Sequence, residues 1–318
     1  MDQSQNKLRT ILITGGAGFI GVNMISRLLN DDSNFIICVD NLSSGSYENI
    51  AKFISNPNFR FENHDISNKF DIPCDIIINL ACPASPPFYQ SDPLATIATC
   101  YQGTKNCLEN AKQHSAKFLH ASTSEVYGDP LEHPQTETYK GNVNTFGPRA
   151  CYDEGKRIAE TLCYEYGSLY DLNICVFRIF NTYGPGMALN DGRVVTNILS
   201  SFISKKPVPM YGDGTQTRSF CFVDDLVQGI LLLLESDKKL NYPINIGNPD
   251  EIQIIELIKI FYDIVDQEPN FIQMSLPIDD PLKRKPDITK MKKMFGWAPQ
   301  TSLRDGLRKM IETYHLVQ

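Results

Sequence analysis

The sequence has no apolar run long enough to cross a lipid bilayer, which takes about 20 residues. Its longest purely aliphatic run, residues 230–234, ends at Glu235. The N-terminal residues 1–10 are polar and lack the apolar core of a signal peptide. We therefore expect a soluble, cytosolic protein.

Cys-x-x-Cys pairs are also absent. The nine cysteines are odd in number and scattered, and most lie in apolar or helical stretches, as Cys38, Cys74 and Cys175 do. This distribution argues against a zinc site and against a disulfide framework. We expect reduced packing cysteines, as in cytosolic proteins, and no metal.

The chain has no excess of positive charge. Lys and Arg number 30 against 37 Asp and Glu, which gives a formal net charge of −7. A general basic surface for nucleic acid or anionic membranes is therefore excluded, and an anionic substrate needs local Arg or Lys in a pocket. The hydrophobic fraction of 42% and the length of 318 residues are typical of a globular protein with about two domains.

Short apolar runs alternate with helical patterns over the first half of the chain. The predicted strands are 10–14, 35–40, 59–63, 75–80, 117–121 and 173–178. The predicted helices are 19–30, 93–114 and 151–170. This alternation predicts an α/β fold, a Rossmann-type doubly wound parallel sheet.

The character of the sequence changes near residue 180, where Pro and Gly become frequent and the segments become short. We predict a dinucleotide-binding domain over residues 1–180 and a smaller α/β substrate domain over 181–318. Part of 219–247 is predicted to rejoin the first domain.

Gly15, Gly18 and Gly21 follow a strand and open a helix. Glycines at this spacing let backbone N–H groups approach a pyrophosphate at a helix N-terminus. Asp40 ends the second predicted strand, where a carboxylate can bind the adenosine ribose and disfavour a 2′-phosphate. The pattern favours NAD over NADP. The alternatives are an ordinary glycine turn and an Asp40 that only caps a turn.

Further cofactor contacts are predicted at the ends of later strands. Asp65 follows the third strand and is placed to meet the adenine amine. Leu80 and Ala81 lie at the end of the fourth strand, where small residues would let a cofactor pass over the strand ends.

Tyr152 and Lys156 are four residues apart and share one helical face. A nearby ammonium favours the phenolate and is expected to lower the pKa of Tyr152 from about 10. Thr123 and Glu125 follow the fifth strand and are expected to join the proton network. The alternative is a chance Tyr-x-x-x-Lys on a solvated helix.

The chain resembles the extended short-chain dehydrogenase/reductases that modify nucleotide sugars, and within them the UDP-glucuronate decarboxylases, also called UDP-xylose synthases. The resemblance covers almost the whole chain. The stretches that carry it are 83–87, 123–130, 147–157, 190–195 and 283–287.

The resemblance implies that NAD is held tightly and used within one catalytic cycle. The cofactor-binding residues it implies, together with those named above, are Gly15, Gly18, Phe19, Ile20, Gly21, Asp40, Asn41, Gly45, Asp65, Ile66, Leu80, Ala81, Thr99, Tyr152 and Lys156.

The reaction it implies has three steps: oxidation at C4 of UDP-glucuronate, loss of CO2 from the β-keto acid, and re-reduction at C4 to UDP-xylose. Tyr152 would take the proton of the 4-hydroxyl, and Thr123 would share it. Ser124 stands where related 4,6-dehydratases carry an acid that protonates a departing 6-hydroxyl, so it favours decarboxylation. Glu125 would then protonate or orient the sugar.

Arg284 is the candidate for recognising the substrate carboxylate, because guanidinium matches carboxylate bidentately. The alternative is a solvated basic run, Lys283 to Lys285, neutralised by Asp279 and Asp280. The substrate-binding residues that the resemblance implies are Ser85, Tyr89, Asn181, Arg193, Tyr211, Arg218 and Arg284. Arg193 and Arg218 would clamp the diphosphate, and Tyr211 would pack near the uracil.

The resemblance also implies a homodimer through a four-helix interface of helices 93–114 and 151–170. Alternative functions are a nucleotide-sugar 4,6-dehydratase or 4-epimerase, a non-catalytic NAD-binding protein, and a decarboxylase that releases the 4-keto sugar with NADH.

Overall fold

The computed structural model describes residues 8–276, 279, 281, 283–314 and 316. The strands are β1 (Arg9–Thr14), β2 (Asn34–Asp40), β3 (Phe59–Asn63), β4 (Ile76–Asn79), β5 (Lys117–Thr123), β6 (Ile174–Ile179), β7 (Thr182–Tyr183), β8 (Val208–Tyr211), β9 (Thr217–Ser219), β10 (Cys221–Phe222), β11 (Ile244–Ile246), β12 (Glu251–Gln253) and β13 (Phe271–Met274). The α-helices are α1 (Phe19–Leu28), α2 (Tyr47–Ala51), α3 (Pro86–Ser91), α4 (Pro93–Ala98), α5 (Thr104–His114), α6 (Ala150–Tyr170), α7 (Val194–Ile203), α8 (Val223–Leu234), α9 (Ile254–Ile264), α10 (Thr289–Phe295) and α11 (Leu303–Thr313).

Seven strands form one parallel sheet in the order β11-β6-β5-β4-β1-β2-β3. The predicted doubly wound fold is confirmed. The strand order reverses between β1 and β4, because β2 and β3 were added on one side of β1 and the later strands on the other. Folds of this kind bind ligands at such a point, outside the carboxyl ends of the strands. The sheet therefore fixes where the candidate site lies.

Apolar side chains cover both faces of the sheet. In β1, Ile11 and Ile13 pack into a core on one face, together with Leu226, Ile230 and other residues of α1 and α8. Leu12 points to the opposite face and joins a second core with Leu108 of α5 and side chains of α6. Strands that are buried on both faces appear in the sequence as continuous apolar runs, which is why their positions could be predicted.

A third core lies beyond residue 180. It joins α7, α9 and α11 through buried side chains such as Leu199, Leu257, Phe261 and Leu307. Short two-stranded sheets, β8 with β13 and β9 with β12, pack beside these helices.

The predicted helix 93–114 differs from the structure, because residues Thr99–Gly103 form a π-helical turn between α4 and α5. The turn brings Gly103 against Ile66, where an added β-carbon would lie 2.7 Å from the Ile66 side chain. Such a one-residue insertion leaves the hydrophobic periodicity almost unchanged, so the sequence pattern did not reveal it. Inserted π turns occur often at functional sites.

No helix among the described residues is both long and apolar enough to span a membrane. The polar residues 1–7 lie outside the described part of the chain.

Candidate active site

A cleft of about 590 Å³ runs across the carboxyl ends of the central strands. All the residues predicted for catalysis, cofactor binding and substrate binding contribute to its lining. They come from distant parts of the chain, and the fold brings them together. Their individual roles remain predictions.

The glycine turn forms one end of the cleft. Gly15 has φ +70°, a conformation that favours glycine, and an added β-carbon would lie 2.8 Å from the backbone of Ala81. At Gly21 an added β-carbon would lie 2.4 Å from the carbonyl oxygen of Gly15. The turn therefore requires glycine at both positions. It leaves the N-terminus of α1, which Gly18 caps, open to the cleft, and this arrangement fits the pyrophosphate of NAD.

Asp40 is buried at the end of β2 beside this turn. Its carboxylate accepts hydrogen bonds from the backbone N–H of Ala17 at 3.0 Å and of Leu42 at 2.8 Å. Burial raises the pKa of Asp40, and the two hydrogen bonds oppose that rise. Asp40 thus caps the turn, which was the alternative role considered from the sequence. It also lines the cleft, and its binding of the ribose stays a prediction.

Asp65 lies nearby on the loop after β3. Its carboxylate accepts hydrogen bonds from the Asn41 side-chain amide at 3.1 Å and from the Ser67 backbone N–H at 2.8 Å. These contacts fix the wall of the cleft where the adenine is predicted to bind.

Tyr152 and Lys156 lie in the first two turns of α6, and both are buried. The Lys156 Nζ donates to the carbonyl oxygen of Ala121 at 2.8 Å and lies 5.9 Å from the centre of the Tyr152 ring. Burial raises the pKa of Tyr152 well above its usual value, and a hydrogen bond with Thr123 opposes the rise. The net pKa of Tyr152 is therefore raised in the chain by itself, and the effect of Lys156 on the phenolate stays a prediction.

Glu125 lies between two arginines. The Arg149 Nη2 donates to its carboxylate at 2.6 Å, and Arg284 forms a short hydrogen bond to the other carboxylate oxygen. Burial alone would raise the pKa of Glu125, but the charges of Arg284 and Arg149 outweigh it and lower the pKa to about 2. Glu125 is therefore ionised here and anchors two guanidinium groups, and its role toward the sugar stays a prediction.

Arg284 is only 3% exposed, so it is not part of the solvated basic run considered above. It lies in the cleft and pairs with Glu125, and its Nη2 also donates to the carbonyl oxygen of Gly128 at 3.5 Å. Of the acids proposed to neutralise such a run, Asp280 lies outside the described residues.

Asp153 follows Tyr152 and is also buried. One carboxylate oxygen lies 4.0 Å from the Arg149 Nε. Burial, and then the negative charge of Glu125, raise the pKa of Asp153 to about 7, although Arg149 and Arg284 oppose the rise. The catalytic helix thus carries a carboxyl group that titrates near neutrality.

Two buried hydroxyl groups face the cleft from the loop and helix after β4. The Ser85 Oγ and the Tyr89 hydroxyl, both in residues 1% exposed, have no hydrogen-bond partner among the described residues. The Tyr89 ring stacks on Tyr152 with centroids 5.0 Å apart. Buried polar groups normally have partners, so these two hydroxyls fit a polar ligand beside Tyr152.

The far end of the cleft contains the residues predicted for the nucleotide. Arg193 precedes α7 and forms a bidentate pair with Asp191, at 2.5 and 2.8 Å. The Arg218 Nη1 donates to the carbonyl oxygen of Thr217 at 2.9 Å, and Tyr211 ends β8 with 36% of its surface exposed. Asn181 follows β6 and lines the middle of the cleft.

The sequence reasoning missed Arg149, Asp153 and Asp191, which all line or contact this site. Arg149 caps the N-terminus of α6, one turn before Tyr152, so its helical position was a usable signal. Asp191 lies two residues before Arg193, in one of the stretches that carry the family resemblance. Its ion pair with Arg193 depends on the geometry of the loop, which the sequence does not show. Within the described part of the chain, no three His, Cys, Asp or Glu side chains are grouped to hold a metal ion.

Known proteins similar to this chain belong to the same group of nucleotide-sugar enzymes that its sequence resembles. Residues 12–310 match the family model described as GDP-mannose 4,6 dehydratase. UDP-glucuronic acid decarboxylase 6 of Arabidopsis thaliana is 46% identical over 98% of this chain and 90% of its own length. UDP-glucuronic acid decarboxylase 1 of Xenopus tropicalis is 44% identical over 98% of this chain and 73% of its own length.

A solved structure has a similar fold. The UDP-glucuronic acid 4-epimerase of Bacillus cereus, in complex with UDP-glucuronic acid and NAD, superposes with a TM-score of 0.86 and 27% identity, covering 95% of this chain and 98% of that one. The identity to the decarboxylases is much higher and extends over nearly the whole chain. The chain therefore belongs to the UDP-glucuronic acid decarboxylases, within the extended short-chain dehydrogenase/reductases that act on nucleotide sugars.

Proposed function

We propose that this chain converts UDP-glucuronate to UDP-xylose and CO2, with NAD used and restored within each cycle. The observation that carries the proposal is one cleft in which Tyr152, Thr123 and Lys156 lie beside the buried Glu125–Arg284 pair. The first group suits oxidation of a sugar hydroxyl, and the second suits a substrate that carries a carboxylate.

Oxidation at C4 begins when Tyr152 accepts the proton of the 4-hydroxyl. Thr123 is hydrogen-bonded to Tyr152 and shares that proton. The acceptor must be the phenolate, and Lys156, held by the Ala121 carbonyl, would favour that form before the proton is transferred. Bound NAD supplies a hydride acceptor for C4 and later returns the hydride.

Decarboxylation follows because the 4-ketone turns the C6 carboxylate into a β-keto acid. The electrons of the C5–C6 bond move into the ketone as CO2 leaves, which forms an enolate. The hydroxyls of Tyr152 and Thr123 stabilise the oxyanion, and preorganised donors of this kind contribute strongly to catalysis. A proton derived from solvent adds at C5 and restores the ketone, and return of the hydride to C4 completes UDP-xylose.

Arg284 recognises the C6 carboxylate of the substrate. In the structure Arg284 forms an ion pair with Glu125, so the substrate carboxylate must replace the Glu125 carboxylate at this arginine. Arg149 remains bound to the second oxygen of Glu125 and keeps that group ionised. The exchange avoids leaving a buried charge without a counterion, which costs several kcal/mol.

Ser124 favours decarboxylation over 4,6-dehydration. Its hydroxyl is buried beside Glu125 in the short 3-10 turn that follows β5. A serine is too weak an acid to protonate a departing 6-hydroxyl. Loss of CO2 has no such requirement.

The assembly we propose is a homodimer through α4, the π turn and α6. Their apolar side chains Leu94, Ile97, Tyr101, Ile158 and Leu169, here called the dimer face, are exposed. Contiguous exposed apolar surface is typical of protein interfaces, and packing these helices against a second copy would form a four-helix bundle.

The predicted domains and compartment also remain proposals. The pairing of β11 with β6 and the packing of α8 under the sheet support the return of part of 219–247 to the NAD-binding domain. The remainder of 181–318 would bind the UDP-sugar. Nine free cysteines suit a reducing compartment such as the cytosol.

Proton NMR of purified protein with UDP-glucuronate and NAD tests the proposed function. We expect UDP-xylose to appear without accumulation of NADH. A 4-keto pentose with stoichiometric NADH would indicate an enzyme that stops after decarboxylation. UDP-galacturonate as the product would indicate a 4-epimerase, and turnover of dTDP-glucose alone would indicate a dehydratase.

A further inference from the structure

Two cysteines touch at the wall of the catalytic cleft. The Sγ atoms of Cys82 and Cys100 lie 3.3 Å apart, and both thiols are free. Cys82 follows β4, is half-buried and lines the cleft. Cys100 lies behind it in the π turn and is 2% exposed.

This thiol pair is mechanically connected to the catalytic helix. An added β-carbon at Gly155 of α6 would lie 3.0 Å from both the Cβ and the Sγ of Cys100, so α6 and the π turn are in close contact. Tyr152 lies on the same face of α6 as Gly155, because residues three apart on a helix are neighbours. A shift of Cys100 is therefore transmitted to Tyr152.

The pair is also electrostatically connected to the site. The hydrogen bond between the two thiols lowers the pKa of Cys100 and raises the pKa of Cys82 well above its usual value, while the Lys156 ammonium lowers the pKa of both. The thiolate is the reactive form of cysteine, so Cys100 is the thiol that the ammonium activates and the base that can take the Cys82 proton.

We propose that Cys82 and Cys100 form a redox modification site, at which a hydroperoxide converts the two thiols to a disulfide and switches off turnover. The predicted loss of activity rests on the proposed function, whereas formation of the disulfide does not depend on that function. In a reducing compartment such a bond is transient and regulatory.

The chemistry balances in two steps. Cys82, which lines the cleft, passes its proton to the Cys100 thiolate and an electron pair to the peroxide, so that the O–O bond breaks and a sulfenic acid and one water form. Cys100 then attacks the Cys82 sulfur, the S–O bond breaks, and a second water leaves as the S–S bond forms. Two thiols are oxidised by two electrons, and one peroxide is reduced to two waters. A dithiol reductant reverses the change.

Loss of activity follows from geometry. A disulfide requires its sulfur atoms about 2 Å apart, so the pair must close by more than 1 Å. Cys100 is packed against α6 at Gly155, so closure of the pair is expected to displace α6. A displacement of about 1 Å at a catalytic group can reduce turnover about a hundredfold.

The test treats the holoenzyme with hydrogen peroxide and follows two readouts. Peptide mass spectrometry is expected to find the Cys82 and Cys100 peptides joined with loss of two hydrogens. Decarboxylation is expected to fall at least tenfold and to recover after dithiothreitol. The first readout requires no enzyme activity, so failure of the proposed function would still leave the site testable.

Three variants provide the comparison. Cys100→Ser is expected to keep its activity in peroxide, whereas Cys151→Ser, which removes a half-buried cysteine beside Tyr152, is expected to remain sensitive. Cys82→Ser is expected to form no cross-linked peptide. Absence of the joined peptide in the wild type, or equal and reversible inactivation of Cys100→Ser, would overturn the proposal.

Discussion

Glu125 and Arg284 form a buried ion pair that joins the 3-10 turn after β5 to a loop near the end of the chain. The two side chains are 14% and 4% exposed. The pair occupies the part of the cleft where a substrate carboxylate would bind, so the arginine is positioned and charged before the substrate arrives. In the proposed mechanism the pair is a resting state that the substrate opens.

Replacing Arg284 separates carboxylate recognition from nucleotide binding. Arg284→Ala is expected to lower kcat/KM for UDP-glucuronate by about a hundredfold or more, since a charge-assisted bidentate contact is lost. The affinity for UDP, measured by calorimetry, is expected to change less than threefold. Lys283→Ala, at the adjacent exposed position, is the matched control and is expected to retain activity. Equal turnover of the two variants would remove Arg284 from substrate recognition.

Tyr152 is expected to be essential for the oxidation step. Tyr152→Phe removes the proton acceptor without changing ring packing on Tyr89, so we expect an unchanged melting temperature and a loss in kcat of about a thousandfold. Tyr164→Phe provides the control, because Tyr164 is an exposed tyrosine on the same helix. Normal turnover by Tyr152→Phe would contradict the proposed mechanism.

The raised pKa of Asp153 makes a prediction about stability. Its pKa is about 7 in the folded chain, against an ordinary value of 3.8. The unfolded chain loses the Asp153 proton near pH 4, whereas the folded chain keeps it until about pH 7. The free energy of unfolding therefore falls as the pH rises between these two values. Below pH 4 both states are protonated and the effect vanishes.

Asp153→Asn should remove the decrease in folding stability that ionisation of Asp153 causes. We expect its melting temperature to exceed that of the wild type by about 2 °C at pH 8, the shift for about 1 kcal/mol in a large domain, and the advantage to shrink at pH 5. Differential scanning calorimetry at both pH values measures it. The same difference at pH 5 and pH 8 would show that Asp153 does not titrate in this range.

The dimer face offers a test of assembly. Ile158→Glu places a charge in the middle of that face and is expected to convert the protein to a monomer in sedimentation velocity experiments. Leu131→Glu changes a residue that is 82% exposed and lies outside the dimer face, so it should leave the assembly unchanged. A wild-type monomer, or a dimer that tolerates Ile158→Glu, would argue against this interface.

The sequence predicted those parts of the fold that depend on local signals. Ile11 and Leu12 belong to an apolar run that is buried on both faces of the sheet, so β1 was visible without any tertiary information. The glycine turn was visible because Gly15 and Gly21 are required by close backbone approach.

Features that depend on distant parts of the chain were less accessible. Arg284 is far from Glu125 in the sequence, and nothing local predicts that they pair. The pKa of Tyr152 also depends on burial by other elements, which raises it well above its usual value. The resemblance identified Arg284 as a site residue, but only the folded chain shows what holds it before the substrate binds.

The most direct test of the proposed catalytic cycle is conversion of unlabelled UDP-glucuronate in D2O, with the product analysed by NMR. We expect UDP-xylose with one deuterium at C5, from protonation of the enolate, and with hydrogen at C4, because the hydride removed from C4 returns without exchanging with solvent. Deuterium at C4, no deuterium at C5, or release of a 4-keto sugar with NADH would contradict a closed cycle of oxidation, decarboxylation and reduction in this cleft.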